Sequence, residues 1–169
     1  MMAFSHTLIG LSSWALTARY TGAPLTEFTI GAAMLGALLP DIDHPGSWLG
    51  RRLMPVSMLL SSLIGHRGLT HSLIAVVAMV AVIYWFSDVA NATVLALAVG
   101  YLSHLGADAV TNSGIPALWP WRKRFTLALA STGGVREWLI TIAFTGLSVW
   151  LCWEHWQQQM MLLGAEAFV

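Results

Sequence analysis

Apolar runs of helical length, separated by short polar turns, make up most of this chain. The first, Phe4 to Ala18, is broken only by Gly10 and scattered Ser and Thr, and it ends at Arg19-Tyr20-Thr21-Gly22-Ala23-Pro24. It is shorter than the about 20 residues a full membrane span needs. Phe28 to Leu39 is a second helix whose Gly31, Ala32, Ala33, Gly36 and Ala37 permit close helix contact. Prolines bracket Pro40-Asp41-Ile42-Asp43-His44-Pro45-Gly46 and disfavour helix on both sides, which predicts an irregular loop. Leu53 to Ile64, preceded by Arg51 and Arg52, is too short for a span and reads as an interfacial helix.

The second half repeats the pattern with longer runs. Ser72 to Phe86 is the most uniformly apolar stretch, and Ser87-Asp88-Val89-Ala90-Asn91 turns it round. Thr93 to Val110 returns as a helix carrying Gly100, Ser103 and His104. Asn112 to Val135 is a loop rich in Gly, Pro and Trp that bears Arg122, Lys123 and Arg124. Glu137 to Trp153 is the last helix, with a glutamine- and methionine-containing tail after it. No internal repeat or low-complexity segment is evident.

Composition turns these runs into membrane helices. The chain is 57% hydrophobic and 9% charged, against roughly a quarter charged in a soluble domain. The expected fold is all-α: a polytopic membrane helical bundle of about four to six helices, with residues 1–155 as one domain and 156–169 as a tail. A formal charge of zero points to no nucleic-acid partner, and the lone Cys152 excludes an internal disulfide. The first thirteen residues lack a basic segment and a small-residue cleavage site, so they do not read as a removable signal peptide.

When the helices alternate across the bilayer, the ionisable groups fall together. His6 starts the first helix, and the second returns to the same face with Asp41, Asp43 and His44. The third long helix leaves from His66 and His71; the fourth brings back His104 and Asp108, and Glu137 opens the fifth. Five of the six histidines and three of the four aspartates thus gather at one end. Seven of the eight basic residues lie on that side and only Arg19 on the other, so the positive-inside bias turns the site to the cytoplasm.

Imidazoles and carboxylates are ligands for zinc and similar ions. His104 and Asp108 are four apart and share a helix face. His66 and His71 do not, but Gly68 lets the chain bend between them, and Thr70 can cap the helix that follows. Asp41, Asp43 and His44 place three potential ligands in four loop residues. Simpler roles stand beside these. His6 fits an interfacial or capping histidine, Asp41 and Asp43 can bind turn amides, and Asp43 or His44 can orient a ligand. Glu137 suits a first-turn acid on the helix dipole, and Arg67 can snorkel to headgroups. All of these would have to hold at one face of one bundle, where buried ionisable groups are costly and usually functional.

The residues Ser5-His6, Leu38-Leu39-Pro40-Asp41-Ile42-Asp43-His44-Pro45, His66-Arg67-Gly68-Leu69-Thr70-His71-Ser72, Gly100-Tyr101-Leu102-Ser103-His104-Leu105 with Asp108, and Thr111-Asn112-Ser113-Gly114-Ile115-Pro116 through Trp119-Pro120 resemble the YdjM family of bacterial inner-membrane proteins, described as metal-dependent hydrolases. The resemblance runs in order from the first helix to about Glu137. It extends distantly to the zinc-dependent phospholipase C and single-strand nuclease class, helical enzymes that cleave phosphodiesters with clustered zinc. It implies metal ligation by His6, Asp41, His71, His104 and Asp108, then His66, with Glu137 a further candidate. The soluble enzymes also use an amino-terminal tryptophan, where this chain begins Met1-Met2-Ala3-Phe4. One to three ions are expected, one or two in preference to three.

The leading expectation is a multi-pass inner-membrane hydrolase with zinc as cofactor and a phospholipid or lipid-linked phosphodiester as substrate. Asp43 or Asp41 would be the general base or an orienting group, and Arg67 the phosphate clamp. The alternative is a metal or proton transporter or sensor built on the same His/Asp cluster. Haem ligation by two histidines such as His71 and His104 is a third reading, which a search for a Soret band in purified protein tests.

Overall fold

The computed structural model describes residues 1–64, 67–121 and 123–166; the predicted ligand His66 and the basic residue Arg122 lie outside them. The described residues form seven α-helices and no strand: α1 (Ala3–Thr21), α2 (Glu27–Leu38), α3 (Trp48–Arg52), α4 (Met54–Ile64), α5 (Leu73–Phe86), α6 (Asn91–Val110) and α7 (Val135–Glu166). The fold is all-α, as the apolar runs imply, with the short α3 added to the six helices they mark.

The ends of these helices follow local chemistry. Gly22 closes α1 in the left-handed conformation that glycine adopts without a Cβ penalty. Thr26 and Thr29 form a reciprocal capping box at the start of α2. The expected irregular loop after α2 is instead a 3-10 turn, Leu39–Asp43. Pro40 sits in its first turn, where the missing N–H costs nothing. Thr70 does not cap α5, contrary to expectation: that helix begins at Leu73, and the Ser72 hydroxyl accepts from the Ala75 amide. The last helix runs to Glu166, well past the expected end at Trp153.

α6 is the central post. It lies parallel to α2, Ala33 facing Gly100 and Ala37 facing His104. α1 runs antiparallel to both, with Gly10 against Ala37 and Ser103. α7 runs parallel to α1, since Ser5 meets Glu137 and Ser12 meets Thr145. Glycines set the α2–α6 separation: a Cβ on Gly36 would lie 2.1 Å from the Leu97 carbonyl oxygen, and one on Gly100 equally close to that of Ala33. Such backbone contact is how small residues hold helices together in lipid. Gly100→Ala is therefore expected to destabilise the bundle by about 1–3 kcal/mol through overpacking, read as a lower melting midpoint in detergent. Gly106→Ala on the same helix, with open space around it, should leave the midpoint unchanged or raise it.

The polarity is inverted relative to a water-soluble bundle. His6, Asp43, His71, His104, Asp108 and Glu137 are fully buried or nearly so, while Trp85, Phe86, Leu139, Ile142, Val149 and Trp150 are exposed. Among the described residues, two helical stretches, Asn91–Val110 and Val135–Glu154, are long and apolar enough to cross a bilayer. α5, at 14 residues, spans about 21 Å against a hydrocarbon thickness of about 30 Å.

Candidate metal centre

Four segments deliver the buried cluster. His6 lies one turn into α1; Asp41 and Asp43 occupy the 3-10 turn after α2; His71 closes a second 3-10 turn, Leu69–His71; and His104 and Asp108 occupy the last two turns of α6. The antiparallel pairing of α1 with α6 and the parallel pairing of α2 with α6 bring these ends to one place.

The innermost atoms are Asp41 Oδ1, His71 Nε2, His104 Nε2 and Asp108 Oδ2. The two imidazole nitrogens are 3.4 Å apart. Asp41 Oδ1 is 3.8 Å from each of them. Asp108 Oδ2 is 3.7 Å from His71 Nε2 and 4.0 Å from His104 Nε2. Donor atoms at ordinary distances from a tetrahedral zinc lie roughly 3.3–3.6 Å from one another, so the His71–His104 separation is ordinary and the other four are wider.

Hydrogen bonds on the outer side of each ring set the tautomers. His104 Nδ1 lies 2.7 Å from the Ala37 carbonyl oxygen, which accepts its proton. His71 Nδ1 lies 3.1 Å from the Thr70 hydroxyl, and that hydroxyl in turn donates to Asp43 Oδ2. Both Nε2 atoms are thereby left as electron-pair donors turned toward each other, an arrangement that a cation between them relieves. A ring held by an outer carbonyl or carboxylate is the usual setting of a metal-bound histidine.

His6 extends the cluster. Its ring stacks on His104 with centroids 3.7 Å apart, and its Nε2 is 3.4 Å from Asp108 Oδ1. Both His6 nitrogens are buried and make no hydrogen bond among the described residues, a costly state for an imidazole. His6, His104 and Asp108 thus form a second possible metal-holding group beside Asp41, His71 and His104. His104 Nε2 has one electron pair and can serve one ion. Two ions would have to divide the ligands, with Asp108 as the carboxylate whose oxygens face both ways. Asp108 Oδ1 also accepts from the Met1 amino group.

The other residues singled out in the sequence have different surroundings. Asp43 is behind His71, where it accepts from the Arg67 backbone N–H at 3.1 Å and from Thr70; its contacts are those of an orienting group. Arg67, rather than Gly68, takes the left-handed conformation at this bend, with φ of 57°. Its Nη2 is 3.0 Å from Asp108 Oδ2, while its Nε and Nη1 are buried without a hydrogen-bond partner among the described residues. A cavity of about 430 Å³ opens over Asp41 and Arg67. His44 is exposed and lines this mouth, outside both metal-holding groups.

Glu137 is likewise outside those groups. Its Oε1 accepts from the Met2 amide at 2.7 Å and the Ser5 hydroxyl at 2.6 Å, and Oε2 accepts from the Gly133 amide at 2.8 Å. The carboxylate ties the starts of α1 and α7 together beneath the cluster. Each buried donor left unpaired costs about 1–3 kcal/mol, so Glu137→Ala is expected to lower stability by about 3 kcal/mol or more, seen as a fall in melting midpoint. Sequence reasoning passed over Tyr101, whose hydroxyl donates to the Thr70 carbonyl at 2.6 Å. The available signal was its place three residues before His104 on the same helix face.

A family model described as YdjM inner membrane protein matches residues 1–168. The chain belongs to the YdjM family. The inner membrane protein YdjM of Escherichia coli K12 is 43% identical over 132 residues, covering 72% of this chain and 65% of that protein; the Shigella flexneri protein matches equally. The chain thus spans less than two-thirds of the length of these two relatives. The protein YvsG of Bacillus subtilis 168 is 35% identical over 147 residues, covering 86% of this chain and 90% of its own. No solved structure matches significantly. The YdjM family is one of inner membrane proteins, which agrees with the exposed apolar surface of α5 and α7.

Proposed function

We propose that this YdjM-family protein is a membrane-bound, metal-dependent hydrolase that cleaves a phosphoester of a phospholipid or lipid-linked substrate, with zinc as its ion and its site at the cytoplasmic face. The observation that carries the reading is the convergence of Asp41, His71, His104 and Asp108 from three segments, the two 3-10 turns and α6, beside Arg67. When bound, a divalent ion supplies Lewis acidity, bringing the pKa of water down to about 7 and offsetting charge on a phosphoryl oxygen.

The chain's own groups account for the rest. Arg67 lines the mouth, and its Nε and Nη1, which have no hydrogen-bond partner among the described residues, are donors for phosphate oxygens. Its backbone is held in a conformation disfavoured for side chains by the bond to Asp43, which aims the guanidinium. Asp43 and Thr70 fix His71, and the Ala37 carbonyl fixes His104, so the donor set is formed before substrate arrives. Arg51 and Arg52, in α3 beside the mouth, support the cytoplasmic assignment through the positive-inside bias.

The test is elemental mass spectrometry on protein purified in detergent without chelator, paired with phospholipid hydrolysis in mixed micelles. Stoichiometric divalent metal is expected, with turnover lost on chelation and regained on metal addition. Protein that holds no metal and takes none up on titration sinks the reading. Bound metal with no hydrolysis, together with ion flux in proteoliposomes, would move the same cluster to transport.

A further inference from the structure

Below the tied ends of α1 and α7, a groove of about 480 Å³ lies along their seam. Leu8, Leu11 and Ala15 line one wall; Thr145, Val149 and Cys152 line the other. The groove exists because small residues stand where the helices face each other. Its hydroxyls are already engaged: Ser12 donates to Thr145 at 3.4 Å, and Ser148 donates to the Phe144 carbonyl at 2.8 Å. What remains facing the opening is hydrocarbon.

The groove lies on the same α1–α7 seam as two residues that line the mouth of the metal centre. Phe4 and Trp138 line that mouth and pack on each other with centroids 5.5 Å apart. Counting by helical turns, Phe4, Leu8, Leu11 and Ala15 form one stripe of α1, and Trp138, Thr145, Val149 and Cys152 lie along the facing side of α7. Both helices run the same way from the site, so the stripes descend together. From Leu8 to Ala15 the groove descends about 10 Å, within the about 15 Å of one leaflet's hydrocarbon. The 145–153 stretch lies within the candidate span of α7.

Resting on the reading of the mouth as a lipid-phosphate site, we infer that this groove seats one acyl chain of a membrane phospholipid whose phosphate is held beside Arg67. A phosphate at headgroup depth leaves its chain to run down through one leaflet, and the groove offers an apolar path that begins about one helical turn below Phe4 at the mouth. Its volume lies within the roughly 300–1,000 Å³ of ordinary ligand sites. The groove makes Ala15 and Val149 selectors of chain length and bulk: the phosphate binds at the top, and these residues meet the chain below.

The experiment uses the full chain in phosphatidylcholine nanodiscs doped with phosphatidylglycerol carrying a diazirine in its acyl chain, with the labelled residues mapped by mass spectrometry. Labelling at Leu11, Val149 and Cys152 is expected to saturate and to be displaced by unlabelled phosphatidylglycerol, whereas labelling on exposed α5 should rise linearly. Ala15→Trp should reduce groove labelling at least tenfold without changing metal content or α5 labelling. Val149→Trp, at an exposed position, does the same should Ala15→Trp fail to fold. Non-saturable labelling of the groove at the level of α5 overturns the inference, as does a crosslinked dimer through these residues that excludes lipid. Metal content is read on the same samples: saturable groove labelling in a protein that takes up no metal would retain the lipid site and sink the hydrolase reading alone.

Discussion

Replacing His104 by alanine is expected to lower metal affinity more than about 100-fold, beyond the loss that follows removal of a merely orienting partner, and to take hydrolysis to background. His104 has this weight because it belongs to both metal-holding groups. Its Nε2 lies 3.4 Å from His71 Nε2, 3.8 Å from Asp41 Oδ1 and 4.0 Å from Asp108 Oδ2. The substitution also deprives the buried Ala37 carbonyl of its donor, a cost of about 1–3 kcal/mol. His104→Gln keeps an amide able to donate there while removing the imidazole, and it should match alanine in metal loss with a smaller drop in melting midpoint. Metal content and turnover, measured together, decide the matter. Activity lost with metal fully retained would move His104 from ligand to another role.

Arg67→Ala is expected to reduce turnover by about 10²–10³, the usual effect of deleting one donor aimed at developing charge, with metal content kept. The separation from His104 is the informative part, because Arg67 sits against Asp108 from the mouth side without belonging to the donor set. Arg67→Lys preserves charge but not the guanidinium's several fixed donors and should recover only a fraction of the activity. Glycine is the wrong replacement here: at φ of 57° it would relax the backbone and confuse strain relief with loss of the guanidinium. A variant with unaltered turnover would remove Arg67 from the mechanism. A raised KM with unchanged kcat would leave it a role in binding alone.

Much of this architecture is legible in the chain. Apolar runs of helical length mark α1, α2, α5, α6 and α7, because in lipid a helix is the one way an isolated segment can satisfy its own backbone. The i,i+4 spacing of His104 and Asp108 puts both on one face for the same geometric reason. The gathering of His6, Asp41, His71, His104 and Asp108 at one end follows from counting helices, since each reversal returns the next polar group to the same side. The small residues of α2 and α6 likewise announce a close crossing, realised at Gly36 and Gly100.

What the pattern leaves open is which group faces which, and there the tertiary structure decides. Asp41 and Asp43 are two residues apart and alike in chemistry, yet the 3-10 turn aims Asp41 at the two Nε2 atoms and Asp43 at the back of His71. His44, adjacent to Asp43, faces the mouth cavity instead. Thr70, suited by type to cap α5, bonds Asp43, and Ser72 takes the cap. Glu137 meets three donors from the start of α1 and the preceding loop, a use that depends on α1 and α7 being tied at that end. Helix, length and face come from local sterics and periodicity, which a single chain carries in its order of residues. A side chain's partner depends on helix rotation and crossing, set by packing between segments as far apart as Ser5 and Glu137, and no local pattern records it.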